Sequence, residues 1–159
     1  MNTGLKWYEN AAEGDGAPSS KSARPARIFV AEDDPDLRAL MSRALRRDGY
    51  EVIEASDGLE LLDCLQDALA LPLSMPDVII TDVMMPRYTG LGVLRALRRA
   101  NWFTPVIVVS ALGEKHLEQA RELGATAFLK KPFDLDDLRT AVVNASLAGI
   151  RARNVPNVD

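Results

Sequence analysis

Five polar side chains of this 159-residue chain stand where apolar runs stop. Glu32 and Asp33 follow "RIFVA", with Asp34 next in line. Asp82 closes "VIIT", Ser110 closes "PVIVV", and Lys131, preceded by Lys130, follows "ATAFL". Singly, each has an ordinary reading: an acid ahead of a helix is a cap, a serine turns the chain, a lysine is a solvated charge. Together they form a reactive set. Clustered carboxylates repel, and one of them is forced to hold a proton. A hard divalent cation relieves that repulsion. A few oxygen ligands with room for water suit Mg²⁺, or Mn²⁺ in its place. A carboxylate beside such a cation and a lysine can accept a phosphoryl group, with a hydroxyl donating to one phosphoryl oxygen. Asp82, alone at its run's end, is the best-placed nucleophile, and an acyl phosphate is the product.

The elements that must position these groups follow from periodicity. "RIFVAED", "YEVIEA", "DVIIT", "PVIVVS" and "ATAFLK" read as five short buried strands. Between them lie amphipathic segments. Asp34-Pro35 opens the first, with Leu37, Leu40, Met41, Ala44 and Leu45 on one face and Gly49 as its stop. Asp57 and Glu60 form an acidic capping pair for the second, and Thr89 caps the third, which carries Leu91, Leu94 and Leu97. Leu117, Ala120 and Leu123 mark a fourth. The last has Leu135, Leu138, Val142 and Ala145 inward and the acids from Asp134 to Asp137 at its positive end. Five strands alternating with five helices, with near-continuous Val/Ile runs, predict an α/β fold around a parallel sheet covered on both faces. Ligands of such sheets sit beyond the carboxyl ends of the strands. Those are the positions the five polar groups occupy.

Composition sets the surroundings. Apolar residues make up 47% and charged residues 26%, a globular profile. A net charge of −4 gives no bulk attraction to nucleic acid or an anionic membrane, so neither DNA binding nor membrane insertion is expected. Cys64 is the only cysteine, which excludes an intrachain disulfide. The opening "MNTGLKWYENAAEG" has no apolar core and does not read as a signal peptide, so a cytoplasmic setting is expected. Residues 1–26, with "EGDGAPSSKSARPA", read as a flexible extension whose large aromatics are Trp7 and Tyr8. The folded domain is placed at 27–148, and 149–159 is read as a short tail.

"IFVAEDDPDLR", "VIITDVMMPRYTG", "VVSALGE" and "FLKKPFDLDDL" resemble the four signature segments of the response-regulator receiver domain. The likeness covers about residues 26 to 148. It implies the flavodoxin-like fold with strand order 2-1-3-4-5, and it assigns roles. Asp82 is the phospho-acceptor. Glu32 and Asp33 are the acidic pair. Asp33, Asp82 and the Met84 carbonyl hold Mg²⁺, with Glu32 acting through water. Ser110 is the switch hydroxyl, Lys131 contacts the phosphoryl group, and Phe128 is the switch aromatic, turning inward when Ser110 is drawn to the phosphate. The Lys131-Pro132 bond is expected to be cis. Met84 and Leu112 flank the path of an attacking water; both are apolar, which implies a long-lived phosphoryl state. The implied phosphodonor is a phosphohistidine on a sensor histidine kinase or a phosphotransfer protein. The implied output is a protein contact through the fourth helix, fifth strand and fifth helix, since no output domain is visible in the chain.

Two departures stand out. The stretch from Ser110 to Lys131 is about one residue shorter than is common, and "ALALPLSMP" is a few residues longer. Two other functions fit less well. An aspartyl-phosphate hydrolase of the haloacid-dehalogenase type needs a second Asp two residues after the first, where this chain has Met84. A phosphorylation-independent interaction module would not need the acid, hydroxyl and lysine set. His116, the only histidine, lies on a polar helical stretch and reads as a surface residue.

Overall fold

The computed structural model describes residues 24–71, 74–111 and 113–153; Trp7 and Tyr8 lie outside them. Five β-strands alternate with five α-helices: β1 Arg27–Ala31, α1 Pro35–Arg47, β2 Glu51–Ala55, α2 Gly58–Ala70, β3 Val78–Asp82, α3 Gly90–Arg99, β4 Val106–Ser110, α4 Glu114–Glu122, β5 Ala127–Lys130 and α5 Leu135–Arg153. The strands form one sheet in the order β2-β1-β3-β4-β5, parallel throughout. The expected architecture and strand order are both present.

Alternation along the strands divides the core in two. Phe29, Ile79, Val108 and Phe128 point to one face, where α2, α3 and α4 cover them with residues such as Leu61, Leu94 and Ala120. Val30, Ile80, Ile107 and Leu129 point to the other, where Met41 and Leu45 of α1 and Leu138 and Val142 of α5 complete the packing. β3 and β4 are buried along their whole length. Each large side chain so buried stabilises the fold by about 1.5–3 kcal/mol, which holds the strand tips as a fixed platform. β3 is flanked by β1 and β4, so the ends of β1 and β4 adjoin Asp82.

The helix starts follow from capping chemistry. Asp34 Oδ1 accepts from the Asp36 and Leu37 amides at 2.9 and 3.3 Å. Asp57 Oδ1 accepts from Glu60 N–H at 2.9 Å, while Glu60 Oε2 reaches back to accept from Ser56 N–H, one residue before the cap, at 2.8 Å. Thr89 Oγ1 accepts from Gly92 N–H at 3.1 Å. Gly49, at φ 94, ends α1 in the left-handed region. α4 begins at Gly113 with no side-chain cap.

Three boundaries or faces differ from the sequence reading. α5 continues through Gly149 to Arg153, so the proposed tail begins as helix. Gly149 permits this because it is buried with Pro105 close by: a Cβ there would lie 3.1 Å from Pro105 Cγ. At the other end, the supposed extension is already tied to the domain before Arg27. Arg24 pairs with Asp77 at 3.5 Å, and the Ala26 carbonyl accepts from Glu51 N–H at 3.0 Å. Leu40 is 48% exposed. The buried stripe of α1 runs through Met41, Ser42, Ala44 and Leu45, and at 100° per residue Leu40 falls about 120° from its centre.

Candidate functional site

Parallel registry brings the acids together. Ala31 of β1 faces Thr81 of β3, so the residues following each run off the same edge of the sheet. Glu32, Asp33 and Asp82 then offer carboxylate oxygens that all lie within 4.8 Å of one another. Glu32 is 1% exposed and Asp82 4%, while Asp33 faces solvent. Glu32 is held from behind by its backbone: its N–H donates to the Ala55 carbonyl at 3.1 Å, and Arg38 Nη1 donates to its carbonyl at 2.7 Å.

Lys131 closes the cluster from β5's side. Its Nζ donates to Glu32 Oε1 and Oε2 at 2.9 and 3.1 Å and to Asp82 Oδ2 at 2.5 Å. The Lys131-Pro132 peptide bond is cis. Lys130 is the exposed last residue of β5, aligned with Ser110 of β4, and Lys131 N–H donates to the Ser110 carbonyl at 2.8 Å. The β4–β5 ladder therefore ties the lysine and the hydroxyl residue together. Ser110 is fully buried, one residue beyond Val109, which is paired with Asp82.

The electrostatics follow from burial and from this pairing. Loss of water, foremost, and the neighbouring Asp82 carboxylate push Glu32 from 4.5 up to about 7, against the pull of Lys131. Burial pulls the Lys131 ammonium down, but its hydrogen bonds to Asp82 and Glu32 outweigh this, and its pKa is raised. One ammonium faces three carboxylates. The set therefore retains negative charge and a surplus of hard oxygen donors, which is the donor chemistry of a small divalent cation.

The loop after Asp82 is tightly built. Met84 N–H donates to Asp82 Oδ1 at 3.1 Å, fixing the second oxygen of that carboxylate. Thr81 Oγ1 donates to the Asp82 carbonyl at 3.1 Å, and Gly90 N–H donates to the Val83 carbonyl at 3.1 Å. A Cβ on Gly90 would lie 2.0 Å from the Asp82 carbonyl oxygen, so the loop closes only over glycine. Met84 is 57% exposed beside Asp82, whereas Met85 is in the core.

The family model for the response regulator receiver domain matches residues 28–143. This chain belongs to that family. It is 36% identical over 123 residues to the transcriptional regulatory protein PdtaR of Mycobacterium tuberculosis, covering 76% of this chain and 57% of that one. It is 29% identical to the sporulation initiation phosphotransferase F of Bacillus subtilis, covering 73% of this chain and 90% of that one. Among solved structures, the chemotaxis response regulator CheY4 of Vibrio cholerae superposes with a TM-score of 0.67 at 31% identity, covering 76% of this chain and 98% of that one. The chain spans little more than half the length of PdtaR and nearly all of phosphotransferase F. Receiver domains bind Mg²⁺ as a family and are not generally enzymes in the usual sense, and the acidic cluster here is of the corresponding kind. No helix of the described residues is long and apolar enough to cross a membrane.

The remaining candidate positions fall as follows. Phe128 is 5% exposed, paired with Val108 inside the core. Its ring lies inward in this conformation, and a ring without a hydroxyl has no polar atom to keep in water. Leu112 lies outside the described residues. His116 is half-buried. Cys64 is half-buried and packs against the core, and burial, then Glu60, Asp67 and Asp63, push its thiol up and away from reactivity. Two side chains at the site were not singled out from sequence. Arg38 sits one turn into α1 and holds the Glu32 carbonyl. Arg87, inside the loop that follows Asp82, holds Asp57 through Nε and Nη2 at 2.9 and 2.5 Å. Nothing in their types or spacing marks them; only folding brings residues 57 and 87 together.

Proposed function

We propose that this receiver accepts a phosphoryl group on Asp82 from a phosphohistidine. The observation that carries this is the Asp82 carboxylate at the tip of a buried strand, with Oδ2 on Lys131 at 2.5 Å and Oδ1 on the Met84 amide at 3.1 Å. Both oxygens are held and the strand cannot shift, so the nucleophile is preorganised. In the reaction, a carboxylate oxygen of Asp82 forms a bond to phosphorus while the P–N bond to the donor imidazole breaks. The imidazole nitrogen leaves with the electron pair of that bond and takes a proton from solvent, and an acyl phosphate remains. Lys131 meets the charge on the phosphoryl oxygens, and Ser110 donates its hydroxyl to one of them. Asp33, Asp82 and the Met84 carbonyl would hold Mg²⁺, or Mn²⁺, with Glu32 nearby through water. The cation supplies neutralisation of the carboxylate and phosphoryl charges when bound.

Once Asp82 is modified, Lys131 exchanges the Asp82 carboxylate for a phosphoryl oxygen while keeping Glu32, and Ser110 is drawn to another phosphoryl oxygen. Lys131 is joined to Ser110 along the β4–β5 ladder, so the change is passed to β5 and to α4, which packs against it. Phosphorylation thereby shifts the population between two packings of the face formed by α4, β5 and α5. A downstream protein reads that face. The donor is a sensor histidine kinase or a phosphotransfer protein in the cytoplasm. The test is incubation of the protein with acetyl phosphate and Mg²⁺, with the site mapped by mass spectrometry. An adduct of one phosphoryl group on Asp82, absent in Asp82→Asn, is expected. An unmodified wild type, or an adduct that survives the substitution, overturns the proposal.

A further inference from the structure

The loop that follows the acceptor carries a backbone feature its sequence disfavours. Arg87 has φ 67, in the left-handed region, where arginine gains nothing and glycine would be at ease. Tyr88 N–H donates to the Pro86 carbonyl at 2.8 Å, which closes a three-residue turn with Arg87 at its centre. A turn of this hand is rare and strained, and it persists only where its surroundings hold it.

Two contacts with the start of α2 hold it. The first is ionic: Arg87 Nε and Nη2 both donate to Asp57 Oδ2, at 2.9 and 2.5 Å. Asp57 is well placed to receive them, since it is 7% exposed and its other oxygen is committed to Glu60 N–H. The second is steric: a Cβ on Gly58 would lie 2.1 Å from the Tyr88 carbonyl oxygen, so the loop backbone presses directly on the first turn of α2. Asp57 thus caps a helix with one oxygen and grips the acceptor loop with the other.

We infer that the Arg87–Asp57 pair is a latch that positions the acceptor loop for phosphoryl transfer, which makes Arg87 a positioning residue. The inference rests on the reading of Asp82 as phospho-acceptor. The path is short. Arg87 fixes the turn at 86–88; the turn fixes the segment back to Met84; and Met84 N–H orients Asp82 Oδ1, while the Met84 carbonyl is one of the proposed ligands of the cation. Arg87 itself is 59% exposed in its side chain and needs no contact with the phosphoryl group. Releasing it lets the segment from Met84 to Tyr88 relax. The orientation of Asp82 is then lost, although strand and core are intact.

Two substitutions separate positioning from bulk stability. Arg87→Gly removes the latch and also removes the conformational strain, so it is expected to leave thermal stability unchanged or raised. Asp57→Asn keeps a competent helix cap and removes the anionic partner. Both full-length variants are to be phosphorylated with acetyl phosphate and Mg²⁺, and amide hydrogen exchange of the unphosphorylated, metal-free proteins is to be followed at Met84 and Tyr88. We expect each variant to lose on the order of tenfold in phosphorylation rate, the scale of a modest misplacement of reacting groups. The double variant should lose no more than either single one, and exchange at Met84 and Tyr88 should quicken while the strands keep their protection. An Arg87→Gly protein with wild-type rate and wild-type exchange overturns the latch and leaves the phospho-acceptor reading standing. Losses that multiply in the double variant also overturn it, because the two residues then act separately. A wild type that takes no phosphoryl group on Asp82 overturns both readings at once.

Discussion

Glu32→Gln is the substitution whose effect can be worked most directly from the structure. Glu32 is 1% exposed, and its surroundings raise it from 4.5 to about 7. The folded protein therefore binds a proton at this residue, between about pH 4.5 and pH 7, that the unfolded chain has released. A folded-state pKa above the unfolded value gives stability that is fully present below the lower value and lost as pH rises through the upper one. At about 1.4 kcal/mol per pH unit, the rise from 4.5 to about 7 corresponds to roughly 3–4 kcal/mol lost across that window. Glutamine has the shape of the protonated acid and cannot ionise. The metal-free variant should lack this decline and be more stable than wild type above pH 7.5 by up to about 3–4 kcal/mol. The assay is urea unfolding of both proteins in a chelator from pH 5 to pH 8.5. Starting at pH 5 keeps clear of Asp57 and Glu60, whose lowered values contribute stability that is lost only in more acid solution. Adding Mg²⁺ should recover part of the loss in wild type above pH 7, since a ligand of the folded state stabilises it by mass action, and recover less in the variant. A wild-type stability that is flat or rising over the window, or a variant with the same decline, would refute the reasoning.

The other predictions concern the acceptor loop. Gly90→Ala places a Cβ 2.0 Å from the Asp82 carbonyl oxygen, a backbone atom that cannot step aside; it should lower stability by about 3 kcal/mol, as overpacking does, and lower the phosphorylation rate with it, both measurable on the purified protein. Met84→Asn replaces an exposed apolar side chain beside the acceptor with one able to orient a water. It should shorten the acyl phosphate lifetime about tenfold, equivalent to about 1.4 kcal/mol in the barrier, read as the decay of labelled protein. An unchanged lifetime would show that this position does not control access to phosphorus.

The sheet was legible because its strands are short apolar runs and its helices carry one apolar face each. Asp34, the Asp57–Glu60 pair and Thr89 announced three helix starts by chemistry that acts within four residues. The site's acids and lysine were legible for a related reason: polar groups at the tips of buried strands have few ordinary explanations when several occur together. What stayed hidden depends on distance in sequence or on the helix's phase. Leu40 satisfies a helical period yet faces water, because Ser42 and Met41 on the other side set the stripe. The end of α5 was hidden because a glycine normally stops a helix, and this one is held inside by Pro105. Arg87 and Asp57 are thirty residues apart and ordinary in type, so their pairing exists only in the folded chain.

These features bear on why a receiver's reactive edge is assembled on the most rigid part of the fold. The carboxylates of Glu32 and Asp82 lose water on folding, and Lys131 compensates only in part, as the raised Glu32 shows. Such a group of charges favours any rearrangement that separates them. β3 and β4 resist because they are buried along their whole length, with covered side chains above and below. The loop from Val83 to Thr89 reaches the core only through Val83, Met85 and Tyr88, and its exposed remainder is held by particular contacts: the Met84 amide on Asp82, the close approach of Gly90 to the Asp82 carbonyl, and the hold of Asp57 on Arg87. A phosphoryl group on Asp82, as proposed, would add charge where charge is already in excess. The strands cannot yield to it, so on that reading the response falls where the ladder ends, at Ser110 and Lys131, and in the elements that pack beside them.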